Sequence, residues 1–243
     1  LEKAAEFSKS CDCFMSAGNH EFSQYVGEAK EDAAYREQSL GAVQACFRND
    51  IRFSSRIING VDFIALDNSY YLIDEPQLAA LKKELSKNVP TVLCVHTPLF
   101  NEEIYRFKRE SDPDEPAYLM CVPFEKMAYY SPERFSQQAA DETTEEAFDL
   151  IVGSDCIKCI LAGHIHNNFK TYLRDDLVQI VTGIGTGRAI EFICFDDSRI
   201  ECRIHHQVII KILCYTTNKS GHCALLAKNL GKHSCCCCFT MVN

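Results

Sequence analysis

Long apolar runs are missing from this sequence, and so is an excess of positive charge. No run approaches the length of a membrane span, and no charged-then-apolar leader pattern opens the chain. With 25 Lys and Arg against 34 Asp and Glu, the net charge is −9, which argues against nucleic acid or an anionic membrane as the main partner. A small phosphorylated substrate is compatible with this charge, because a bound metal reverses the local sign.

The fifteen cysteines do not suggest a disulfide framework. Most lie in predicted apolar strands, as Cys94, Cys159 and Cys194 do, where cysteine behaves as a small hydrophobe. A chain of 243 residues needs no disulfides to fold, so we expect a reducing, cytoplasmic compartment. Cys156 and Cys159 have zinc-site spacing but are expected to pack in the core, whereas "SCCCCF" (234–239) lacks that spacing. A thiol-based metal or redox protein is the alternative.

Periodicity predicts an α/β protein. Helices and strands alternate through the first two-thirds of the chain and strands dominate afterwards, which indicates a layered sandwich with mixed sheets. The predicted strands are 11–16, a hairpin over 51–68 with its turn at Asn59-Gly60, 89–95, 156–163, and antiparallel strands within 167–187 and 189–204. The predicted helices lie within 22–48, 75–88 and 143–154, the last capped by Thr143 or Thr144.

Two segments differ from this pattern. Residues 101–145 are polar and rich in Tyr and Phe, which is typical of lids and binding loops, so we predict an insertion or cap there. From about residue 212 the sequence has no convincing periodicity. The predicted organisation is therefore one domain over 1–211, followed by an irregular, Cys-rich tail over 212–243.

Polar residues follow three of the predicted buried strands. Gly18-Asn19-His20-Glu21 ends the first, His96-Thr97-Pro98 ends the second, and His164-Ile165-His166 ends the third. Each group alone is typical of a turn or of a hydrogen-bonded histidine. Ligand sites gather at the carboxyl ends of strands in α/β sheets, and imidazole, amide and carboxylate groups suit Zn, Mn or Fe. An extended "GHIH" would aim both of its histidines to one side. Together the three groups predict a metal site.

These stretches carry a resemblance to a known family. "GNHE" (18–21), "VHTPLF" (95–100) and "GHIHNN" (163–168) resemble three of the five motifs of the calcineurin-like metallophosphoesterases, over roughly residues 1–205. The resemblance implies a four-layer α/β/β/α sandwich and hydrolysis of phosphomonoesters or phosphodiesters. It also implies a pair of divalent or trivalent ions (Mn, Fe or Zn) that activate a hydroxide.

The same resemblance assigns roles to individual residues. By motif, Asn19, His96 and His164 would bind one ion and His166 the other. His20 would serve the leaving-group oxygen as a catalytic residue. Glu21 would orient and charge-support that imidazole.

Two motifs of the family are missing from the sequence. Neither the Asp-x-His that completes the second ion site nor the Gly-Asp-x-x-Asp that bridges both ions occurs. We therefore expect an N-terminally truncated phosphoesterase that lacks the first strands of its sheet, and whose activity as given is in doubt. The alternative is a degenerate, non-catalytic module that binds a partner or one metal.

The predicted substrate is a small phosphorylated molecule or a phosphoprotein, held between the metal and the insertion. The candidate wall residues are Tyr118, Tyr129, Tyr130 and Phe135. "TGIGTG" (182–187) misses the spacing of a nucleotide-binding loop, so we expect a tight turn or an approach of the backbone to the metal centre there.

Overall fold

The computed structural model describes residues 6, 16–19, 33–58 and 60–183, together with the backbone of four later strands. The chain is an α/β protein with mixed sheets, as the sequence predicts. The helices are α1 (Ala33–Gln44), α2 (Glu75–Leu85), α3 (Glu102–Ser111), α4 (Pro132–Gln138) and α5 (Glu142–Gly153). The strands are β1 (Phe53–Ile58), β2 (Val61–Leu66), β3 (Thr91–Cys94), β4 (Ile157–Ala162), β5 (Phe169–Arg174), β6 (Leu177–Val181), β7 (Ala189–Asp196), β8 (Arg199–His206), β9 (Ile212–Thr216) and β10 (Phe239–Met241).

The main sheet has six strands in the order β1-β2-β3-β4-β6-β5. Its four central strands, β2, β3, β4 and β6, are parallel, and an antiparallel strand flanks them at each edge. A second sheet has the order β10-β9-β7-β8, in which β7 pairs antiparallel with β8 and parallel with β9. The carboxyl ends of the four central strands therefore meet at one edge of the main sheet.

Both faces of the central strands are buried, because consecutive side chains of a strand point to opposite sides. Ile64, Leu93 and Ile160 join one cluster with residues of α2 and α5. Phe63 and Cys159 belong to a second cluster formed by the alternate positions. Buried positions on both sides explain why β2, β3 and β4 have near-continuous apolar sequences.

Local sequence signals explain the hairpin between β1 and β2 and the start of α2, the helix that connects β2 to β3. Ile58 pairs with Val61, which leaves a two-residue turn in which Gly60 has a φ of 82°; its other residue, Asn59, lies outside the described part. Helix α2 begins with a capping box between Asp74 and Gln77, with Pro76 in its first turn. The predicted hairpin and helix are thus confirmed.

Helix α5 begins differently from the prediction. Its cap is Asp141, whose side chain accepts a 2.8 Å hydrogen bond from the Thr144 backbone N–H. The prediction of Thr143 or Thr144 as cap was wrong because the Thr144 hydroxyl is used elsewhere. It is buried and accepts a 3.0 Å bond from the Ile73 backbone N–H, in the loop before α2.

The segment predicted as an insertion or cap contains regular structure that packs into the main core. It includes α3, a 3₁₀ helix over Phe124–Met127 and α4. Ile104, Leu119 and Met127 join the same buried cluster as the sheet. Polar composition suggested a loop because helix α3 exposes most of its surface, whereas Ile104 is fully buried.

Two further predictions meet the structure only in part. Within 22–48 the described helix runs over Ala33–Gln44, and residues 20–32 lie outside the description, as do residues 11–15 of the strand predicted over 11–16. Past residue 212, where no periodicity was found, the structure has the short strands β9 and β10, which pair with each other. Among the described residues, no helix combines the length and apolarity that crossing a membrane requires.

Candidate metal site

Three histidine- or asparagine-bearing loops leave the same edge of the main sheet. Asn68 follows β2, His96 follows β3 and His164 follows β4. The loops are joined through their backbones, since the Gly163 N–H donates to the His96 carbonyl at 3.0 Å. Because β2, β3 and β4 are parallel neighbours, these loops are brought together by the sheet itself.

Asn19, His96 and His164 converge at this edge. The Asn19 Oδ1 atom lies 2.7 Å from His96 Nε2, and His164 Nδ1 lies 2.9 Å from the same nitrogen. The His96 and His164 rings meet edge to face, with centroids 4.7 Å apart. Asn19 and His96 are nearly inaccessible, at 7% and 3% exposure. The structure thus gathers the three residues to which the resemblance assigns the first ion.

The hydrogen atoms available here do not satisfy both contacts of His96. Its Nε2 carries either a proton or a lone pair. With the proton, it donates to the Asn19 oxygen or to an unprotonated Nδ1 of His164, but one hydrogen atom does not make a full hydrogen bond to both. With the lone pair, it accepts from Nδ1–H of His164 but faces the lone pairs of the Asn19 oxygen. Reversing the Asn19 amide would remove this conflict, and a cation between the three atoms would remove it with the amide as it stands.

The spacing of the three atoms also suits one ion. Two ligand atoms that each lie about 2.1 Å from an ion are about 3.0 Å apart at a right angle and about 3.4 Å apart at the tetrahedral angle. The observed 2.7 and 2.9 Å are close to the first value. Two imidazole nitrogens and an amide oxygen form a donor set suited to Zn, Mn or Fe. The residues present therefore fit a single divalent ion.

A second ion is less well provided for. Within residues 16–19, 33–58 and 60–183, no three or more His, Cys, Asp and Glu side chains lie close enough together to hold a metal. The site above has two histidines, and its third donor is an amide. His166, which the resemblance assigns to the second ion, is exposed. The described residues thus do not supply a complete second site.

The backbone of "GHIH" is not extended, so that prediction was wrong. His164 and His166 both have left-handed backbones, with φ of 65° and 59°. The Ile165 N–H donates to the Gly163 carbonyl at 2.7 Å, which makes the segment a tight turn. In a turn of this kind, side chains two residues apart do not share a side as they would in a strand.

Tyr71 contacts the far side of the His164 ring. Its hydroxyl lies 2.7 Å from His164 Nε2, and the two rings meet edge to face at 5.5 Å. Tyr71 is 2% exposed, and this burial raises the pKa of its hydroxyl well above the ordinary value. The hydroxyl is therefore neutral at all physiological pH values and can serve as donor or acceptor.

Asn68 holds the loop that carries His96. Its Oδ1 accepts from the backbone N–H groups of His96 and Thr97, at 3.0 and 2.9 Å, and its Nδ2 donates to the Thr97 carbonyl at 2.7 Å. The side chain is completely buried. A single amide thus satisfies three backbone groups that have no sheet partner at the end of β3.

The predicted substrate-wall residues have different surroundings. Tyr118 lies against the site, its ring edge-on to His164 at 5.9 Å, and its hydroxyl donates to Glu115 at 2.6 Å. Burial, followed by that hydrogen bond, raises the pKa of Tyr118 to about 12. Tyr118 is thus the one of the four predicted wall residues that the structure brings onto a site histidine.

The other three pack within the insertion. The buried Tyr130 hydroxyl accepts from the Ala117 backbone N–H at 2.9 Å. Tyr129 packs between Tyr130 and the guanidinium of Arg109, which lies 3.5 Å from its ring centroid. Phe135 meets Phe124 edge to face at 5.1 Å. His20 and Glu21, the predicted catalytic pair, lie outside the described residues.

Of the glycine-rich "TGIGTG", only Thr182 and Gly183 lie within the described residues, so the predicted turn or approach to the metal centre stays a prediction. The Gly183 N–H donates to Asn168 Oδ1 at 2.6 Å, and a Cβ at Gly183 would lie 2.9 Å from that oxygen. This bond ties the loop after β6 to the loop that carries His164. Cys94 and Cys159 are buried, form no disulfide bond and lie in the same core cluster, which agrees with the core-packing interpretation of Cys156-x-x-Cys159.

Asn68 and Tyr71 were not predicted as site residues. "DNSYY" (67–71) follows the apolar strand "VDFIAL" as the three histidine motifs follow theirs, which indicates a place at the same sheet edge but not a contact with a particular histidine. Only its first two residues were interpreted, as the end of a hairpin. No family model matches this chain, and no curated protein matches it either. The resemblance to the calcineurin-like phosphoesterases therefore stays a prediction that rests on three motifs and on the convergence of their side chains.

Proposed function

We infer that this chain binds a divalent metal ion through Asn19, His96 and His164 and hydrolyses phosphoesters at that ion. The observation that carries the proposal is the approach of an amide oxygen and an imidazole nitrogen to His96 Nε2, at 2.7 and 2.9 Å. The mixed six-stranded sheet is compatible with the four-layer α/β/β/α sandwich that the motif resemblance implies. That layered fold and the phosphoesterase family belong to the same proposal.

The chain's own residues would divide the work at such a site. A bound divalent ion polarises a phosphoryl oxygen and lowers the pKa of a bound water. Asn19, His96 and His164 would fix the ion. His20, by the motif resemblance, would provide a proton to the leaving-group oxygen, and Glu21 would hold its ring.

Arg134 adds support for an anionic substrate. Its guanidinium carbon lies 6.0 Å from the centroid of the Tyr118 ring, which in turn contacts His164. Burial raises the pKa of both Tyr71 and Tyr118, and the Arg134 charge opposes that rise in both. The Arg134 charge therefore makes the electrostatic potential beside the histidines more positive. Arg134 donates at 2.9 Å to the side-chain oxygen of Gln137, a neutral acceptor rather than a carboxylate.

The alternative is a module that binds one ion without catalysis. It is favoured by the sequence, which contains neither Asp-x-His nor Gly-Asp-x-x-Asp, and by the incomplete second site among the described residues. None of the residues that the motifs assign is a carboxylate that could bridge two ions, so these residues alone do not position a hydroxide between two ions. The two proposals share the first ion and differ in turnover.

The test combines metal binding with turnover. Purified chain is titrated with Zn²⁺ and with Mn²⁺ by calorimetry, and hydrolysis of 4-nitrophenyl phosphate and of its bis-ester is followed with each ion. His96→Ala is expected to abolish binding and turnover together. His166→Ala is the matched control for a histidine of the same motif, and it is expected to keep one ion.

His20→Ala separates the two proposals. For an enzyme, it keeps the ion and loses most of the turnover, because the resemblance gives His20 no role as a ligand. Ion binding without hydrolysis by the unaltered chain would favour the non-catalytic module. Binding that survives His96→Ala would contradict both proposals.

A further inference from the structure

One segment of the β2–α2 loop contacts both histidine loops. Asn68 holds the backbone around His96, and Tyr71, three residues later, reaches the His164 ring 93 residues away in the chain. The segment is itself a turn, since the Tyr71 N–H donates to the Asn68 carbonyl at 2.9 Å, and Tyr71 has a left-handed φ of 65°. A non-glycine residue holds that conformation only where its surroundings compensate for the strain.

The position of the hydroxyl is what gives Tyr71 more than a packing role. A neutral imidazole that binds an ion through Nδ1 carries its proton on Nε2, and beside a buried side chain such as Tyr71 that N–H needs an acceptor. Tyr71 Oη is 2.7 Å from that nitrogen. The ring itself would pack as well without the oxygen, because Phe and Tyr have the same ring.

We propose that Tyr71 is a positioning residue that accepts a hydrogen bond from Nε2–H of His164 and thereby turns the Nδ1 lone pair toward the ion. The proposal rests on the proposed metal site. Without the hydroxyl, Nε2–H of His164 loses this acceptor, and the tautomer with the proton on Nδ1, which donates to His96 and blocks the ion, gains in population. Outer partners of this kind change metal affinity about 10- to 100-fold.

The test is Tyr71→Phe, with Tyr105→Phe as the matched control. The Tyr105 hydroxyl is also hydrogen-bonded, donating to the Lys126 carbonyl at 2.9 Å in the insertion. Zn²⁺ affinity is measured by competition with a chromophoric chelator. Tyr71→Phe is expected to weaken the affinity about 10- to 100-fold. Tyr105→Phe is expected to leave the affinity within about twofold of the wild-type value, because Tyr105 contacts neither histidine. The melting temperatures of the metal-free variants show whether each one folds.

A second measurement does not depend on any variant. Long-range ¹H–¹⁵N spectra of the zinc-loaded wild-type protein report which nitrogen of His164 carries the proton, and Nε2 is expected. A proton on Nδ1, or an unchanged affinity in Tyr71→Phe while His164→Ala abolishes binding, would overturn this inference and leave the metal site standing. Failure of the wild-type protein to bind Zn²⁺ or Mn²⁺ would overturn both.

Discussion

Replacing Asn68 by alanine should test how firmly the sheet edge holds the histidine loop. The substitution removes one buried amide that accepts from two backbone N–H groups and donates to one carbonyl. These three bonds go to His96 and Thr97, whose side chains are buried, and the amide nitrogen also donates to Met120 Sδ at 3.4 Å. Alanine leaves these backbone groups without a partner in a space that the amide had filled.

The magnitude follows from the number of groups left unsatisfied. A buried backbone group without a partner costs about 1 to 3 kcal/mol, and water that enters the vacated space recovers a part. For three groups we expect a loss of roughly 4 kcal/mol in the free energy of unfolding. That is a large part of the roughly 5 to 15 kcal/mol that a typical domain has.

Urea denaturation of the metal-free protein measures this loss, and the chelator competition then measures the ion affinity of the folded variant. Asn101→Ala is the control, because it also removes an amide with three hydrogen bonds, the cap of α3 and the contacts with Tyr172 and Thr171, from a more exposed position. Its expected cost is about 1 to 2 kcal/mol, since water can replace partners that are exposed. A loss in Asn68→Ala no larger than that of the control would refute the assignment of Asn68 as the holder of the His96 loop.

Three further predictions concern single contacts. Gly183→Ala places a Cβ 2.9 Å from Asn168 Oδ1, the end of an exposed side chain that can move away, so it should cost no more than about 1 kcal/mol by urea denaturation, through loss of the Gly183–Asn168 hydrogen bond, and a much larger loss would contradict this account. Burial, then hydrogen bonding to Glu84, raises the pKa of Asp62 to about 6; the folded protein keeps a proton that the unfolded chain releases, so this stabilisation is complete below about pH 4 and is lost as the pH rises through about 6. Asp62→Asn should flatten that part of the stability profile, and an unaltered slope would assign it to other groups. Asp141→Ala should destabilise by about 1 kcal/mol through loss of the α5 cap, measured by thermal denaturation, with no change expected if Thr144 were the cap.

The parts of the fold that sequence could predict are those with local causes. A Gly at the hairpin turn, a capping box before α2 and apolar strands of four to six residues leave their marks within a few positions. The gathering of His96 and His164 could be predicted for a general reason. Parallel strands with crossover connections end at one edge, so polar residues after such strands meet there.

The contacts that sequence did not predict depend on distant partners. Tyr71 and His164 are 93 positions apart, and no local pattern in "DNSYY" predicts that Tyr71 contacts His164. The cap of α5 was misplaced because the use of the Thr144 hydroxyl is decided by the loop before α2. Aromatic composition suggested four wall residues, but composition does not say which face of a segment turns inward, and Tyr130 turned out to be core.

The left-handed residues around the site have a consequence for how the protein could change. Tyr71, Tyr118 and His164 have φ between 55° and 65°, and both tyrosine rings touch the histidine ring. Each such backbone costs about 1 kcal/mol or more relative to glycine. Glycine at His164 would relieve the strain and remove the ligand in one step. Selection for stability and selection for ion binding therefore act in opposite directions at His164. A library of variants at this position that is sorted for thermal tolerance without metal should be enriched in glycine and so lose the ligand.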